Sequence, residues 1–241
     1  MLPKKYKRII LKLSGQIVAG ENKFGFSNAA LQYLKEEIVD AFNLGVEIGI
    51  VMGGGNVFRG QEAVEQLNTD RVSADYLGML ATLFNASLLQ NVLDRSNVPA
   101  HIMTALSFSE LAEPFMQRRA IHHLEKKRIV IFACGTGNPY FTTDTAAVLR
   151  AIEMKSDVIL KGTRVRGIYD KDPEEFKDAH FFETLHYSYV IQHQLKVMDS
   201  TAFSLAMDNN LPILVFNILK KGYLRRILEG ENIGTIVSDN N

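Results

Sequence analysis

The sequence predicts an α/β fold: a three-layer α/β/α sandwich with a mostly parallel central sheet, formed by one domain spanning residues 1–241. Short β-branched runs alternate with helical patterns almost from end to end. The runs are apolar throughout instead of alternating with polar residues, and no linker, low-complexity tract or internal repeat divides the chain. A strand that is apolar on both faces must be covered on both faces, and intervening helices supply the cover.

Six segments read as strands: 9–13, 46–52, 100–103, 128–134, 157–161 and 213–217. Between the first two, Leu31, Leu34, Ile38 and Phe42 recur at helical spacing, with Ser27 placed to cap the helix and Gly45 to stop it. Further helices are expected over 71–96, 113–127 and 143–155. In sheets of this kind ligands gather at the carboxyl ends of the strands, so the strand-to-helix loops are where chemistry is expected.

Composition narrows the function classes. The chain has 27 Lys plus Arg and 27 Asp plus Glu, so no global field draws it to nucleic acid or to a membrane. Cys134 has no partner for an internal disulfide and ends the apolar run 129–133, which predicts a buried, inert thiol. Basic residues precede a short apolar stretch near Met1, but Lys12 interrupts it and it is too short for a signal segment. No apolar run approaches a membrane span, and a cytoplasmic protein is expected.

Three strand-following loops are rich in glycine: Lys12-Leu13-Ser14-Gly15, Gly53-Gly54-Gly55-Asn56 and Gly135-Thr136-Gly137-Asn138-Pro139. Glycine lets backbone amides approach phosphate oxygens, and a helix starting just beyond adds its positive dipole end. Any one such loop is explained by a turn; three together point to an anionic ligand. No Gly-Lys dipeptide exists, so there is no Walker A loop, and the dinucleotide glycine pattern is missing after the first strand.

Lys12 lies in an otherwise apolar strand. It either snorkels to solvent from an edge or stands beside bound phosphates. Lys161 repeats the arrangement after Val158-Ile159-Leu160, and Arg59 follows the triple glycine. The third loop runs on through Tyr140-Phe141-Thr142-Thr143-Asp144. Thr142 or Thr143 can cap the next helix, and Asp144 suits its first turn. The functional alternative gives a second phosphate site, with Asp144 positioning a lysine or a magnesium ion.

These three loops, with the segments 75–82, 195–199 and 211–217, resemble the amino acid kinase superfamily, and the third loop resembles its bacterial UMP kinase (uridylate kinase) branch. The resemblance covers nearly the whole chain. It implies that Lys12, Leu13, Ser14 and Gly15 line the ATP phosphates with Gly55 and Arg59, and that Thr163, Tyr169 and Asp172 bind the adenosine part. It implies that Gly54 and Asp75 contact UMP, and that Thr136, Gly137, Asn138, Pro139, Tyr140, Phe141, Thr142 and Thr143 wrap its phosphate and uracil. Lys12, Arg59, Asp144, Lys161 and Asp199 would form the catalytic set.

The activity implied is transfer of the γ-phosphoryl group of ATP to UMP in pyrimidine nucleotide biosynthesis, with Mg2+ carried mainly by the ATP phosphates. A homohexamer with GTP as an allosteric effector and UTP as inhibitor is implied as well. A sister kinase forming acyl or carbamoyl phosphate, or a nucleotide-binding regulator, are the alternatives. Arg166 stands where the family usually has aspartate, and Gln16 where many relatives have glutamate. The loop 20–25 matches the position where some relatives respond to GTP. His122 and His123 are adjacent on an expected helix, so they do not share a face; a solvated or interface surface is expected there, without metal.

Overall fold

The computed structural model describes residues 5–59, 68–195 and 197–239. A nine-stranded sheet runs in the order β4-β3-β5-β2-β1-β6-β10-β11-β9. Its centre is β1 (Arg8–Leu13), flanked in parallel by β2 (Glu47–Met52) and β6 (Val158–Thr163). Outward from β2 lie β5 (Ile129–Ala133), β3 (Ala100–Thr104) and the two-residue β4 (Glu113–Pro114). Outward from β6 lie β10 (Ile213–Asn217), β11 (Thr235–Val237) and β9 (Thr184–Leu185). Only the β10–β11 pair is antiparallel. A separate hairpin joins β7 (Ile168–Tyr169) to β8 (Phe181–Phe182).

Side-chain alternation along β1 divides the core in two. Ile9, Leu11 and Leu13 face one helical layer: α1 (Gly15–Ala19), α2 (Asn28–Asn43), α3 (Arg71–Asp94) and α8 (Tyr223–Leu228). Ile10 faces the other: α4 (Gln117–Glu125), α5 (Thr143–Glu153), α6 (Tyr187–Gln192) and α7 (Ser200–Asp208). The three-layer sandwich expected from the sequence is the observed architecture.

Ser27 caps α2 by accepting from the Ala30 amide, and Gly45 follows it with a φ of 74°, a conformation that glycine adopts without a Cβ penalty. The helix expected over 113–127 begins only at Gln117, because Glu113 and Pro114 pair with Met103 and Thr104 as an edge strand. Proline removes a ladder donor and biases its predecessor to extended backbone, so an edge strand suits both residues. By length and composition α3 reaches membrane-span dimensions, in contrast to the expectation from its separate apolar runs. Its Leu89 and Leu93 are wholly buried in the core against the sheet.

Candidate active site

Lys12 and Lys161 are register partners on the central strands β1 and β6. Both fall on the sheet face that carries Ile10 and Ile159, at the carboxyl ends of their strands, and both are buried. Asp144, in the first turn of α5, answers both cations. One carboxylate oxygen ion-pairs with Lys12, and the other accepts from the Lys161 ammonium at 2.8 Å. Lys161 also donates to the Val197 carbonyl. Two lysines share the one carboxylate of Asp144, with the Asp199 charge acting on Lys161 as well. Burial, and then the Lys12 charge, push the Lys161 ammonium down from its ordinary range to about 8. Burial alone would raise the Asp144 carboxyl, but Lys12 and Lys161 hold it below the usual range.

The carboxylate is set in place by the start of its helix. Thr142 caps α5, its hydroxyl accepting from the Asp144 and Thr145 amides at 3.0 and 3.4 Å. The same hydroxyl donates to Asp199 at 2.5 Å, and Thr145 donates to the other Asp199 oxygen at 2.9 Å. Asp199 in turn caps α7 through the Ala202 amide. Its carboxylate is therefore engaged by two hydroxyls and an amide, which makes it a clamp between α5 and α7.

Two cavities lie at this end of the sheet, the larger reaching Lys12 and Lys161 and the smaller reaching Thr142 and Thr143, next to Asp144. The larger, about 790 Å³, is lined by Lys12, Ser14, Lys161, Thr163, Tyr169 and Asp172 among others. It holds the residues expected around ATP, except that Leu13, Gly15, Gly55 and Arg59 lie outside its lining. Leu13 is wholly buried in the core, and its carbonyl accepts from the Gly53 amide, so its side chain offers a ligand nothing. Arg166 turns away from the cavity and stacks on Phe181 at 4.0 Å; Phe181 also meets Tyr169 edge-on. Positive charge at this unusual position thus serves the β7–β8 hairpin.

The smaller cavity, about 160 Å³, is lined by Gly54, Gly55, Asp75, Thr136, Phe141, Thr142 and Thr143, with Thr82 at its floor. The chain leaves β5 through two left-handed residues, Cys134 and Gly135, at φ 62° and 58°, and the Cys134 amide donates to the Thr82 hydroxyl at 2.8 Å. Cys134 is buried as expected, and burial pushes its thiol up to about 11. Asp75 accepts from the Tyr140 amide at 2.7 Å and pairs with Arg71. Gly137, Asn138, Pro139 and Tyr140 do not line this cavity: Gly137 packs on Ala105, while Asn138 and Tyr140 are exposed. Arg59 folds back along its own loop, Nε donating to the Gly55 carbonyl at 3.1 Å. Lys196, within the matched segment 195–199, and Gly60, which follows Arg59, lie outside the described residues.

Sequence reasoning gave no role to Thr82 or Asn85 and cited Asn56 only as a loop residue. The signal was present: Thr82 and Asn85 interrupt the apolar helix α3 at positions that face the core. A buried polar group needs a partner, and here the partners are the two glycine loops.

At the far edge of the sheet, His123 departs from its expected solvated place. It is buried, stacks on His101 at 4.0 Å, and shares the Glu113 carboxylate with it at 3.2 and 2.7 Å. Burial opposes ionisation of Glu113, yet Arg119, His101 and His123 hold its carboxyl at about 2. The three groups lie close enough to ligate a metal. Arg119 on Glu113 and Arg128 on His123 Nδ1 set two cations against one carboxylate, which opposes a third.

Residues 7–217 match the amino acid kinase family. The crystal structure of UMP kinase from Bacillus anthracis superposes with a TM-score of 0.94 at 42% identity, over 98% of this chain and 97% of that one. UMP kinase from Ureaplasma parvum superposes with a TM-score of 0.90 at 36% identity, over 97% and 99%. Uridylate kinase from Archaeoglobus fulgidus, at 24% identity and a TM-score of 0.70 over 95% and 99%, shares the fold. With the match spanning the sheet, both glycine-lined cavities and the lysine pair, the chain belongs to the amino acid kinase family.

Proposed function

We propose that this protein is an ATP-dependent UMP kinase, moving the γ-phosphoryl group of ATP to UMP to give UDP and ADP in pyrimidine nucleotide biosynthesis. The observation that carries the reading is the buried Lys12–Asp144–Lys161 arrangement, whose lysines line a nucleotide-sized cavity and whose aspartate directly follows Thr142 and Thr143 of a smaller one walled by Asp75 and the glycine loops.

The acceptor is a phosphate oxygen already ionised near neutral pH, so no general base is needed. Catalysis then rests on alignment and on neutralising the charge that spreads over the transferred group. Lys12 and Lys161 supply fixed cations in a buried setting, and Asp144 holds them in position. A magnesium ion carried by the triphosphate would neutralise its oxygens; Asp144, bridged by both lysines, is left to orient them. Ser14 and Gly15 would receive the donor phosphates with Gly55 and Arg59, and Thr163, Tyr169 and Asp172 the adenosine. Gly54, Asp75, Thr136, Phe141, Thr142 and Thr143 would hold UMP, with Gly137, Asn138, Pro139 and Tyr140 shaping the loop that carries them. Asp199 would act through Thr142 and Thr145 as a positioning residue.

Assembly with further copies of this chain, as a cytoplasmic homohexamer with GTP and UTP as effectors, completes the proposal. Its physical support is the outward face of α3, where Tyr76, Leu77, Leu80 and Phe84 are each 41–44% exposed beside the exposed Phe26. Exposed apolar area of this kind marks an interaction surface.

Purified protein with ATP and magnesium should be offered UMP, CMP, glutamate, aspartate and carbamate in a coupled ADP assay. UDP formation well above all other products is expected. Acyl or carbamoyl phosphate as the main product, or ATP binding with no transfer, would overturn the proposal.

A further inference from the structure

Beneath the two phosphate-type loops lies a pair of wholly buried amides. Asn85, on α3, donates through Nδ2 to the Gly53 carbonyl at 2.8 Å and to Asn56 Oδ1 at 2.6 Å. Asn56 donates back through Nδ2 to Asn85 Oδ1 at 3.1 Å and to the Gly25 carbonyl at 2.7 Å. The Asn56 carbonyl accepts from the Gly25 amide at 2.7 Å. A backbone carbonyl can only accept, so Gly53 and Gly25 fix which way each amide is turned.

The pair stands directly under the first loop as well. A Cβ added to Gly15 would overlap Asn56 Oδ1, and would come within 2.9 Å of the Gly53 carbonyl and the Gly55 amide. Gly15 opens α1 beside Ser14 of the donor cavity, while Gly54 and Gly55 line the acceptor cavity. One reciprocal amide pair therefore sets the spacing between the first loop, on the larger cavity, and the second, whose Gly54 and Gly55 border the smaller one.

We propose that Asn56 and Asn85 act as one positioning unit for the phosphoryl transfer, fixing the donor loop at Gly15 against the loop 53–55 that borders the smaller cavity, without touching either nucleotide. This rests on the kinase reading above. Loosening the pair disturbs the alignment of the two phosphates more than the holding of either nucleotide, so the loss falls on kcat. Misplacement on the scale of 1 Å lowers rates by as much as about a hundredfold. Because both amides share one set of hydrogen bonds, their removal is not additive.

The test compares Asn56→Ala, Asn85→Ala and the double variant, reading kcat, KM for UMP and for ATP, and thermal unfolding on each. Each single variant should lose about tenfold or more in kcat, with both KM values within about threefold of wild type. The double variant should lose no more than the worse single. Asn85→Ser removes both donations without burying a charge, and its hydroxyl can bond the Ala81 carbonyl one turn back in α3. It should show the same kcat loss, and it decides the matter if the alanine variants fail to fold. Unchanged kcat in the folded variants, multiplied losses in the double, or a change confined to one KM would overturn the inference. A wild-type protein that makes no UDP would sink the kinase reading instead, so the two failures are distinct.

Discussion

Lys12 and Lys161 stand side by side across the β1–β6 register and converge on the two oxygens of Asp144. Like charges at adjacent buried positions repel, and the two ammonium groups share a single bridging carboxylate. A bound polyanion relieves that repulsion.

Burial and that repulsion together give a pH signature. In the free protein Lys161 loses its proton as pH rises through about 8, well below its ordinary 10.5. A bound triphosphate favours the charged ammonium and raises this value, so the complex holds more protons than the free protein above pH 8. Titration of ATP at pH 8.5 in buffers of different ionisation enthalpy should show net proton uptake. The uptake should vanish in Lys161→Met. Its persistence in that variant would assign it to another group.

Asp75 separates the two substrates. It faces the smaller cavity while meeting Tyr140 and Arg71, and it lies outside the lining of the larger cavity. Asp75→Asn should raise KM for UMP by about ten- to a hundredfold, the scale of one hydrogen bond to a charged group. KM for ATP should change little. Equal losses for both nucleotides would contradict its assignment to UMP.

Gly15 is limited by space, with the Asn56 amide and the Gly53 and Gly55 backbone where a side chain would go. Gly15→Ala should destabilise the protein by about 1–3 kcal/mol through overpacking and lower kcat/KM for both substrates. Thermal unfolding and steady-state kinetics measure the two effects. An alanine variant as stable and as active as wild type would show that the loops are free to part.

The legible parts of this molecule were those with a repeating signal. The six apolar runs became the inner strands of the sheet because burial on both faces leaves no alternation to misread. The short elements β7, β8, β9 and β11 span only two or three residues each, too few to establish a period. Pro114 carried a warning that the helix expected over 113–127 overran. In the site, Lys12, Asp144 and Lys161 could be picked out as charges at strand ends and a helix start, yet their convergence depends on which strands are neighbours. The roles of Thr82 and Asn85 were hidden for the same reason: the amide and the carbonyl they respectively serve are 52 and 32 residues away in the chain. His123 was misplaced because its partner Glu113 lies on a strand that the sequence assigned to a helix.

The most direct measurement is turnover of Lys12→Met at saturating ATP and UMP, alongside its far-UV and thermal-unfolding profiles. A folded protein slowed by about a hundredfold or more is the predicted result, the scale of losing one preorganised charge-stabilising donor. A folded protein with near-normal turnover would contradict the assignment of the buried cations to the reacting phosphoryl group.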